Sequence, residues 1–445
     1  MIATIISVLA SIVGIGFLIF VHELGHFLMA RWNGIRVEVF SLGFGRPIWS
    51  LKKGDTTYQI GIFPLGGYCK MAGEEIKDGT TGAADEYFSK PPWRRLLVVF
   101  SGPAFNYIFG VLLLSFLFLF PQIHQTLSNR IDVQKTLTLN GAVRESPAYL
   151  AGLRTGDLIV SVNGRDIANW TDIKDGIMKD FDTEKSLTIR RGEEVLSFDV
   201  LPLLDRDTGM AIIGITPWIA PVISTVRPDS AAEKYGLKDG DTIISVNGVA
   251  VQTVNELAQA VEVFPSRSMY VIIDRNGIRI KKPIDLDEKD GHKVLGVEFA
   301  PKAMTVREKA HDPFTAVWLG FKKGNDFLVQ NSKGLVLLIK GKLNARKSVG
   351  GPVKIFTIST QVAKLGGVTG FLSFIALISI LLGFFNLLPL PAVDGGYLIV
   401  FLIEWISGRK LSMKVVEVIQ TVGFFLIIGL LVLVTFNDIL SFWIK

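Results

Sequence analysis

The chain of 445 residues contains a single cysteine, Cys69, and only five histidines. One cysteine cannot form an intramolecular disulfide, so the fold depends on no oxidising compartment. It also excludes a cysteine-rich zinc site, which leaves histidine and carboxylate side chains as ligands for a zinc ion. Charged residues are scarce as well, at 20% of the chain against 49% apolar residues. This balance is typical of apolar blocks that alternate with a soluble region.

Four stretches of the chain contain no charged residue and are long enough to span a membrane. A helix needs about 20 apolar residues to cross the hydrocarbon core. The first stretch lacks the basic region and the small-residue cleavage site of a signal peptide, so we interpret it as a retained helix. The sequence therefore predicts four transmembrane helices, around residues 1–21, 96–120, 365–393 and 418–437.

Basic residues next to these stretches predict the orientation of the chain. The segment Arg31–Arg95 holds ten Lys or Arg residues, whereas the N-terminus before the first helix holds none. Loops rich in Lys and Arg remain in the cytoplasm. We therefore expect residues 31–95 to be cytoplasmic, and both termini and residues 121–364 to lie on the exported side. Basic loops at a membrane also account for the net charge of +6, so no nucleic-acid partner is indicated.

The motif His22-Glu23-Leu24-Gly25-His26 lies at the end of the first uncharged stretch. On a helix, two histidines four positions apart share one face and can bind one zinc ion, while Glu23 projects toward a metal-bound water. The alternative is a pair of histidines satisfied in a helix core. Ionisable side chains so close to the hydrocarbon are costly unless they face an interior site, which favours a metalloprotease.

A second candidate ligand follows the third uncharged stretch. An H-E-x-x-H motif supplies two zinc ligands, and a catalytic site needs a third ligand and an open position. Asp394 is the only charged residue near the end of this stretch, in the block Asn386–Gly396. Read alone, Asp394 could equally be a helix cap. Pro389 and Pro391 are expected to break the helix just before it.

The predicted exported region contains an internal repeat with a constant offset of 84 residues. Ser146-Pro147-Ala148, Gly152-Leu153, Gly156-Asp157 and Ser161-Val162-Asn163-Gly164 recur as Ser230-Ala231-Ala232, Gly236-Leu237, Gly240-Asp241 and Ser245-Val246-Asn247-Gly248. One duplication of this length indicates two tandem domains rather than a solenoid. Each copy resembles a PDZ domain of bacterial membrane proteases. PDZ domains bind extended peptides by strand addition, but a spacer or steric screen is an equal alternative.

Taken together, these motifs resemble the site-2 proteases, zinc metalloproteases that cut substrates within the membrane, and most of all their regulator of sigma-E protease branch. The resemblance covers essentially the whole chain. One departure is Val393, where the family more often has Leu. The resemblance rests on the H-E-x-x-H motif, the repeats and the Asn386–Gly396 block. It also rests on three further motifs: Gly43-Phe44-Gly45, Pro64-Leu65-Gly66-Gly67-Tyr68 and Gly102-Pro103 with Asn106.

The resemblance implies a role for each part of the site. Zinc would be held by His22, His26 and Asp394, with Glu23 as the catalytic base. Asn386 would hold the substrate backbone near the metal. The Gly-rich segment before the second helix would form a β-hairpin that re-enters the membrane and pairs with a substrate strand. Its candidate substrate-binding residues are Gly43, Phe44, Gly45, Tyr58, Ile60 and Gly61.

The resemblance also implies partners and a location. Substrates would be single-span membrane proteins, such as anti-sigma factors and remnant signal peptides, in the lipid bilayer of a bacterial inner membrane. The repeats and both termini would be periplasmic, with the active site toward the cytoplasm. The repeats would exclude substrates with bulky exported domains. The alternatives are a catalytically silent membrane PDZ scaffold and an M48-type zinc protease with its third ligand in a soluble domain.

The predicted fold class is a polytopic α-helical membrane protein with four transmembrane helices, a re-entrant β-hairpin and two tandem PDZ-like α+β domains. Gly350-Gly351-Pro352-Val353 resembles a family motif without a derivable role. The predicted boundaries are 1–32 for the first helix, 33–95 for the cytoplasmic and re-entrant region, 96–120 for the second helix, 128–218 and 219–305 for the repeats, 312–364 for an amphipathic linker region, at the membrane surface or packed on the repeats, 365–393 for the third helix, 394–414 for a cytoplasmic segment and 415–443 for the fourth helix.

Overall fold

A computed structural model describes residues 2–74, 81–178, 181–289, 292–409 and 412–443. The chain divides into two compact units. One combines Met1–Gln122 with Glu308–Lys445, and the other is Ile123–Arg307. The first unit contains all the residues predicted to bind zinc, and the second contains both copies of the repeat.

The described residues form twelve helices and twenty-two strands, with a 3-10 turn at Tyr87–Ser89. The helices are α1 Ile2–Trp32, α2 Pro92–Phe118, α3 Pro147–Leu150, α4 Trp170–Ile177, α5 Ala231–Lys234, α6 Val254–Val263, α7 Pro313–Ile339, α8 Ala345–Ser348, α9 Pro352–Leu365, α10 Gly367–Asn386, α11 Asp394–Ser407 and α12 Met413–Trp443. The strands are β1 Val37–Lys53, β2 Thr56–Met71, β3 Gln122–Thr126, β4 Ile131–Val133, β5 Thr136–Leu139, β6 Ala142–Glu145, β7 Leu158–Val162, β8 Arg165–Asp166, β9 Lys185–Arg191, β10 Glu194–Val200, β11 Leu203–Leu204, β12 Ala211–Ile212, β13 Ile215–Pro217, β14 Ile223–Val226, β15 Thr242–Val246, β16 Val249–Ala250, β17 Ser268–Arg275, β18 Ile278–Asp285, β19 Asp287–Lys289, β20 His292–Val294, β21 Val297–Phe299 and β22 Met304–Glu308.

Four helices of the described residues are long and apolar enough to cross a membrane, which agrees with the predicted number. By length and composition these candidate spans are Thr4–Trp32, Pro92–Phe118, Gly367–Asn386 and Val416–Leu440. The third span is shorter than predicted, because helix α10 ends at Asn386 rather than near residue 393. The proline-containing segment that follows is irregular, as Pro389 and Pro391 led us to expect.

Helix α2 is the centre of the first unit, where α1, α7, α10 and α11 all contact it. Small residues allow these close approaches. A Cβ atom at Gly110 of α2 would lie 2.6 Å from the carbonyl oxygen of Ala376 in α10. A Cβ atom at Gly320 of α7 would lie 2.6 Å from the backbone nitrogen of Ser115. Close backbone approach at small residues is the usual basis of helix packing in membranes.

The segment predicted to be an amphipathic linker contains two long helices, α7 and α9. Helix α7 packs along α2, where the Tyr107 hydroxyl donates to Asn325 at 3.0 Å.

The Gly350–Val353 motif also gains a role. The Asp438 carboxylate of α12 accepts hydrogen bonds from the backbone N–H groups of Gly351 and Lys354, at 3.0 and 2.9 Å. Asp438 therefore caps the N-terminus of α9 from another helix.

Strands β1 and β2 are bent so that each contributes two segments to one small sheet. Residues 39–42 of β1 pair with residues 67–70 of β2 on one side and with residues 57–60 on the other. The second half of β1 then pairs with the outer side of residues 57–60. Gly43 and Gly45 both have a φ of 87°, which lets β1 bend on either side of Phe44. Strands β1 and β2 thus form a hairpin with a more folded register than the sequence indicated, and its re-entry into the membrane stays a prediction.

The two copies of the repeat have the same topology. The sheet order β8-β7-β9-β10 of the first copy equals β16-β15-β17-β18 of the second. Both predicted Asn-Gly turns are present, and Asn163 and Asn247 have φ angles of 50° and 47°. Before the repeated motif, the first copy contains an additional hairpin, β5–β6, that the second copy lacks between β14 and α5. Apart from that insertion, the two copies share one strand order, and their identity as PDZ domains stays a prediction.

A buried aspartate joins the two copies. Asp132 lies in β4 of the first copy and is 2% exposed. Its carboxylate accepts hydrogen bonds from Thr155 of the same copy at 2.9 Å, and from Thr253 and Asn255 of the second copy at 2.8 and 3.1 Å. Since a buried carboxylate is costly without such partners, these bonds hold the copies in one arrangement.

A candidate metal centre

Helix α1 presents two imidazoles to the same point in the first unit. His22 and His26 are four residues apart and are each 8% exposed. Their Nε2 atoms lie 3.2 Å from each other. Two ring nitrogens at this distance, with both imidazoles buried, are placed to bind one metal ion between them, as the motif predicted.

Asp394 approaches the same point from helix α11. Its Oδ2 lies 3.0 Å from Nε2 of His22, and its Oδ1 lies 3.6 Å from Nε2 of His26. Asp394 is the first residue of α11, the N-cap position belongs to Val393, and Val393 makes no side-chain cap. The alternative that Asp394 only caps a helix is therefore wrong, because its carboxylate faces the histidines.

The spacing of these atoms fits a zinc ion. Ligand atoms about 2.0–2.1 Å from a tetrahedral zinc are roughly 3.3 Å apart. The two Nε2 atoms are 3.2 Å apart, and the two Asp394 oxygens lie 3.0 and 3.6 Å from them, one oxygen facing each histidine. Asp394 Oδ2 is buried and has no partner in hydrogen-bond geometry. A buried carboxylate oxygen in that position is suited to a cation. His22, His26 and Asp394 are the one such ligand group found within the described residues.

Helix α2 supports the site from the opposite side. His26 Nδ1 donates to the carbonyl oxygen of Val98 at 2.8 Å, which leaves its Nε2 free as an acceptor. A Cβ atom at Gly102 would lie 2.6 Å from Cε1 of His26 and 2.9 Å from Cε1 of His22. A Cβ atom at Gly25 would lie 2.5 Å from the carbonyl oxygen of Ser101. Both glycines are therefore required for α1 and α2 to meet at the metal ligands.

Glu23 lies beside the three ligands and lines two cavities. One cavity is bounded by Tyr68, Cys69 and Met71 of β2, and the other by Asn386 and the turn that follows it. A Cβ atom at Gly67 would lie 3.3 Å from the Glu23 side chain, so β2 passes close to this carboxylate. A carboxylate in this position is suited to accept a proton from a water at the metal.

Asn386 and Asp394 are brought to the site by a compact turn. Asn386 ends α10 and lines the same cavity as His22 and Glu23. Ala392 has a φ of 69° within the turn. A Cβ atom at Gly395 would lie 2.6 Å from the carbonyl oxygen of Leu387. Gly395 therefore lets the turn fold back onto the start of α11, which places Asp394 against the histidines.

The predicted substrate-binding residues of the hairpin are distributed differently from expectation. Tyr58 and Ile60 are paired with β1 on both sides, so their backbone is not at a sheet edge. Gly61 packs against the carbonyl of Phe44, and Phe44 stacks on Tyr68 with ring centroids 6.2 Å apart. Neither cavity beside the ligands is lined by Gly43, Phe44, Gly45, Tyr58, Ile60 or Gly61. Any role of theirs in substrate binding remains a prediction.

Two features near the site were missed from the sequence. Tyr397 lies one turn after Asp394 and lines both cavities, and burial raises the pKa of its hydroxyl, which therefore remains a donor. Arg95 of α2 pairs with Glu404 of α11 at 2.6 Å, and both are almost fully buried. The Arg95 guanidinium also lies 4.5 Å from the centroid of the Phe401 ring. Tyr397 could have been found from the sequence, because it lies one helical turn after Asp394. No sequence signal joins Arg95 to Glu404.

Comparisons with known proteins agree with this geometry. The sequence model of peptidase family M50 matches residues 10–430 of this chain. The Escherichia coli (strain K12) protein named Regulator of sigma-E protease RseP is 31% identical over 450 residues, which cover 96% of this chain and 97% of the relative. Protease RseP of Yersinia pestis is 30% identical and covers 97% of this chain and 98% of its own length.

Two further similarities were found. A Vibrio cholerae protein, described by prediction as a zinc metalloprotease, is 31% identical and covers 97% of each chain. A crystal structure of the HtrA3 PDZ domain bound to a phage-derived ligand matches 19% of this chain and 89% of its own, with 18% identity and a TM-score of 0.13.

Proposed function

The chain belongs to peptidase family M50 and is a zinc metalloprotease, and from this we propose that it hydrolyses peptide bonds within or near the transmembrane segments of single-span proteins. The observation that carries the proposal is the convergence of His22, His26 and Asp394. The two histidines lie in α1, and Asp394 closely follows α10, and both helices are long and apolar enough to span a membrane. A zinc protease that acts on soluble proteins has no need to bury its ligands among such helices.

The residues divide the chemical work between them. Zinc, when bound by His22, His26 and Asp394, supplies a Lewis acid that activates water and polarises the scissile carbonyl. Glu23 accepts the proton of the attacking water and transfers it to the leaving nitrogen. Asn386 lies at the cavity wall next to Glu23, where its amide can bind substrate backbone. The neutral hydroxyl of Tyr397 is a further donor to the same cavity.

An extended substrate strand can reach Glu23 along β2. Residues 67–69 pair with β1 on one side only, among the described strands, and Tyr68 and Cys69 line the cavity that contains Glu23. A helical substrate must unwind before attack, because its carbonyls are held in intrahelical hydrogen bonds. Strand addition at residues 67–69 would replace the bonds lost on unwinding. This edge, rather than Tyr58 and Ile60, is the pairing surface that we propose.

Insertion of the hairpin into the membrane is supported by its exposed apolar side chains. Ile48, Ile62 and Phe63 are 70%, 55% and 64% exposed, and Trp49 and Leu51 are half exposed. A soluble protein rarely exposes a contiguous patch of this kind. We propose that this side of the β1–β2 sheet contacts lipid, as a re-entrant hairpin would.

The proposed location is the bacterial inner membrane, with the repeats and both termini periplasmic and the active site toward the cytoplasm. The basic segment 31–95 supports this orientation. The relatives named Regulator of sigma-E protease and Protease RseP support anti-sigma factors as substrates. Remnant signal peptides have the same single-span form. A silent PDZ scaffold is less well supported, since it would need neither Glu23 nor a complete ligand set.

Replacing Asp394 with Asn tests the proposed function at its metal. We expect zinc binding to weaken by more than the roughly 10–100-fold that follows loss of an outer partner, because a direct ligand is lost. Cleavage of a single-span substrate in bilayers should fall in parallel. Zinc content and cleavage are measured together, with His124→Ala as the control that should change neither. Full zinc binding with full cleavage in the Asp394→Asn protein would refute the site.

Deleting residues 131–302 tests whether the repeats act as a size filter. Strands β3 and β22 pair with each other, so a short Gly/Ser bridge can join the ends. All four catalytic-site residues lie in the other unit, so we expect zinc binding to persist. The shortened protein should cleave a transmembrane segment that carries a folded exported domain, which the full chain rejects. Equal discrimination by both proteins would rule out the filter, and loss of all cleavage would indicate delivery instead.

A further inference from the structure

Asn106 of α2 lies behind the metal ligand His22. It is fully buried, and its amide lies 3.2 Å from Nδ1 of His22. The other ring nitrogen of His22, Nε2, faces Asp394. Asn106 is held in place by α10, because its backbone carbonyl accepts a hydrogen bond from the Ser379 hydroxyl at 2.8 Å. The amide thus has a fixed position against the imidazole.

The chemistry of a zinc ligand decides what this amide must offer. A neutral imidazole carries one proton, and Nε2 must present a lone pair to the metal, so Nδ1 carries the proton and donates. His26 already follows this rule, since its Nδ1 faces the carbonyl oxygen of Val98. Nδ1 of His22 therefore needs an acceptor, and the side-chain oxygen of Asn106, whose amide already lies against Nδ1, can supply it.

The amide orientation in the structure leaves this acceptor unused. The nitrogen Nδ2 faces His22, and the buried oxygen Oδ1 has no donor. Nitrogen and oxygen of an amide have nearly the same shape, so their assignment follows from hydrogen bonding. A half-turn of the amide brings Oδ1 to Nδ1–H of His22, and Oδ1 gives up no hydrogen bond when it leaves its present position.

We infer that Asn106 is a positioning residue whose Oδ1 accepts the Nδ1 proton of His22 and so holds the tautomer that presents Nε2 to zinc. The inference rests on the proposed role of His22 as a ligand. It gives the Gly102-Pro103 and Asn106 motif a common purpose. Gly102 makes room for the two imidazoles, and Asn106 orients one of them. Outer partners of this kind orient the ligand and raise its basicity.

Two substitutions of Asn106 distinguish an acceptor from a space-filling residue. Asn106→Asp keeps the acceptor and removes the donor, whereas Asn106→Leu keeps a similar size and removes both. Zinc affinity of the purified full-length protein is measured by competition with a chromophoric chelator. We expect Asn106→Leu to bind zinc roughly 10–100-fold more weakly, and Asn106→Asp to remain close to wild type. Asn106→Asp as weak as Asn106→Leu, or Asn106→Leu unchanged, would overturn the inference.

Controls separate this inference from the proposed function. His22→Ala should lose tight zinc binding, and if it does not, the ligand assignment itself is wrong. Ser379→Ala removes the contact to the Asn106 backbone but no acceptor, and should lower zinc affinity less than Asn106→Leu does. If Asn106→Leu does not fold, nitrogen-15 spectra of histidine-labelled, zinc-loaded wild type decide the question. A protonated Nδ1 with Nε2 bound to the metal in His22 supports the inference, and coordination through Nδ1 refutes it.

Discussion

Glu23→Gln is expected to lower the rate of peptide-bond cleavage by roughly 10²–10⁴-fold, the usual contribution of a general base. Glutamine has nearly the shape of glutamate but cannot accept the proton of the attacking water. The three metal ligands are other residues, so zinc should remain bound with its wild-type affinity. The measurement pairs single-turnover cleavage of a transmembrane substrate with zinc content of the same sample.

The matched control for this change is Glu74→Gln. Glu74 lines the same cavity as Glu23, and its carboxylate accepts a hydrogen bond from the backbone N–H of Met71 at 3.0 Å. We expect cleavage by the Glu74→Gln protein to remain near wild type. Turnover at the wild-type rate in Glu23→Gln would exclude Glu23 as the base. A large loss in both variants would indicate a requirement for negative charge in the cavity rather than for a base.

Gly102→Ala is expected to disrupt the metal site itself. The added methyl group would meet Nε2 of His26 and would lie 2.6 Å from Cε1 of the same ring and 2.9 Å from Cε1 of His22, and neither ring can move without leaving the metal position. Overpacking of this kind typically costs about 1–3 kcal/mol. We expect zinc affinity to fall at least as far as the roughly 10–100-fold caused by loss of an outer partner, with cleavage lost in proportion. Chelator competition and cleavage assays measure the two effects.

Gly110→Ala provides a control on the same helix. Its methyl group would lie 2.5 Å from Cγ1 of Ile380 and 2.6 Å from the carbonyl oxygen of Ala376, so it crowds α2 against α10 to a similar extent. The three atoms nearest to this methyl group all belong to α10 and to no metal ligand. Thermal stability should fall in both variants, while zinc affinity should fall only in Gly102→Ala. Equal loss of zinc in both would mean that the site responds to general strain in α2.

The local parts of this site could be predicted because each rests on a short motif. Two histidines four positions apart need only a helix to bind the same metal ion, and α1 is that helix. Asp394 could be identified because it is the one charge at the end of an uncharged stretch. Its distance to His22 could not be predicted, since it depends on Gly395, on the turn after Asn386 and on the packing of α11 against α2.

Other features depend on contacts that leave no periodic signal. The double pairing of residues 39–42 arises from the bends at Gly43 and Gly45, and an alternating pattern cannot indicate which segments become neighbours. The two repeats each contain a bidentate ion pair, Arg191 with Asp157 and Arg275 with Asp241. Both arginines obey the same offset of 84 residues, so a longer alignment of the repeat would have found them.

If His22, His26 and Asp394 bind zinc as proposed, their wide separation along the chain also determines when the protein becomes a protease. His22 and His26 leave the ribosome early, whereas Asp394 is made after both repeats and α10. Until α11 has docked against α2, the imidazoles lack their carboxylate, and two ligands hold zinc weakly. Loop closure over this distance adds an entropic cost that only the packed helices repay. Proteolytic activity is therefore withheld from the nascent chain until the rest of the membrane unit has assembled around the first helix.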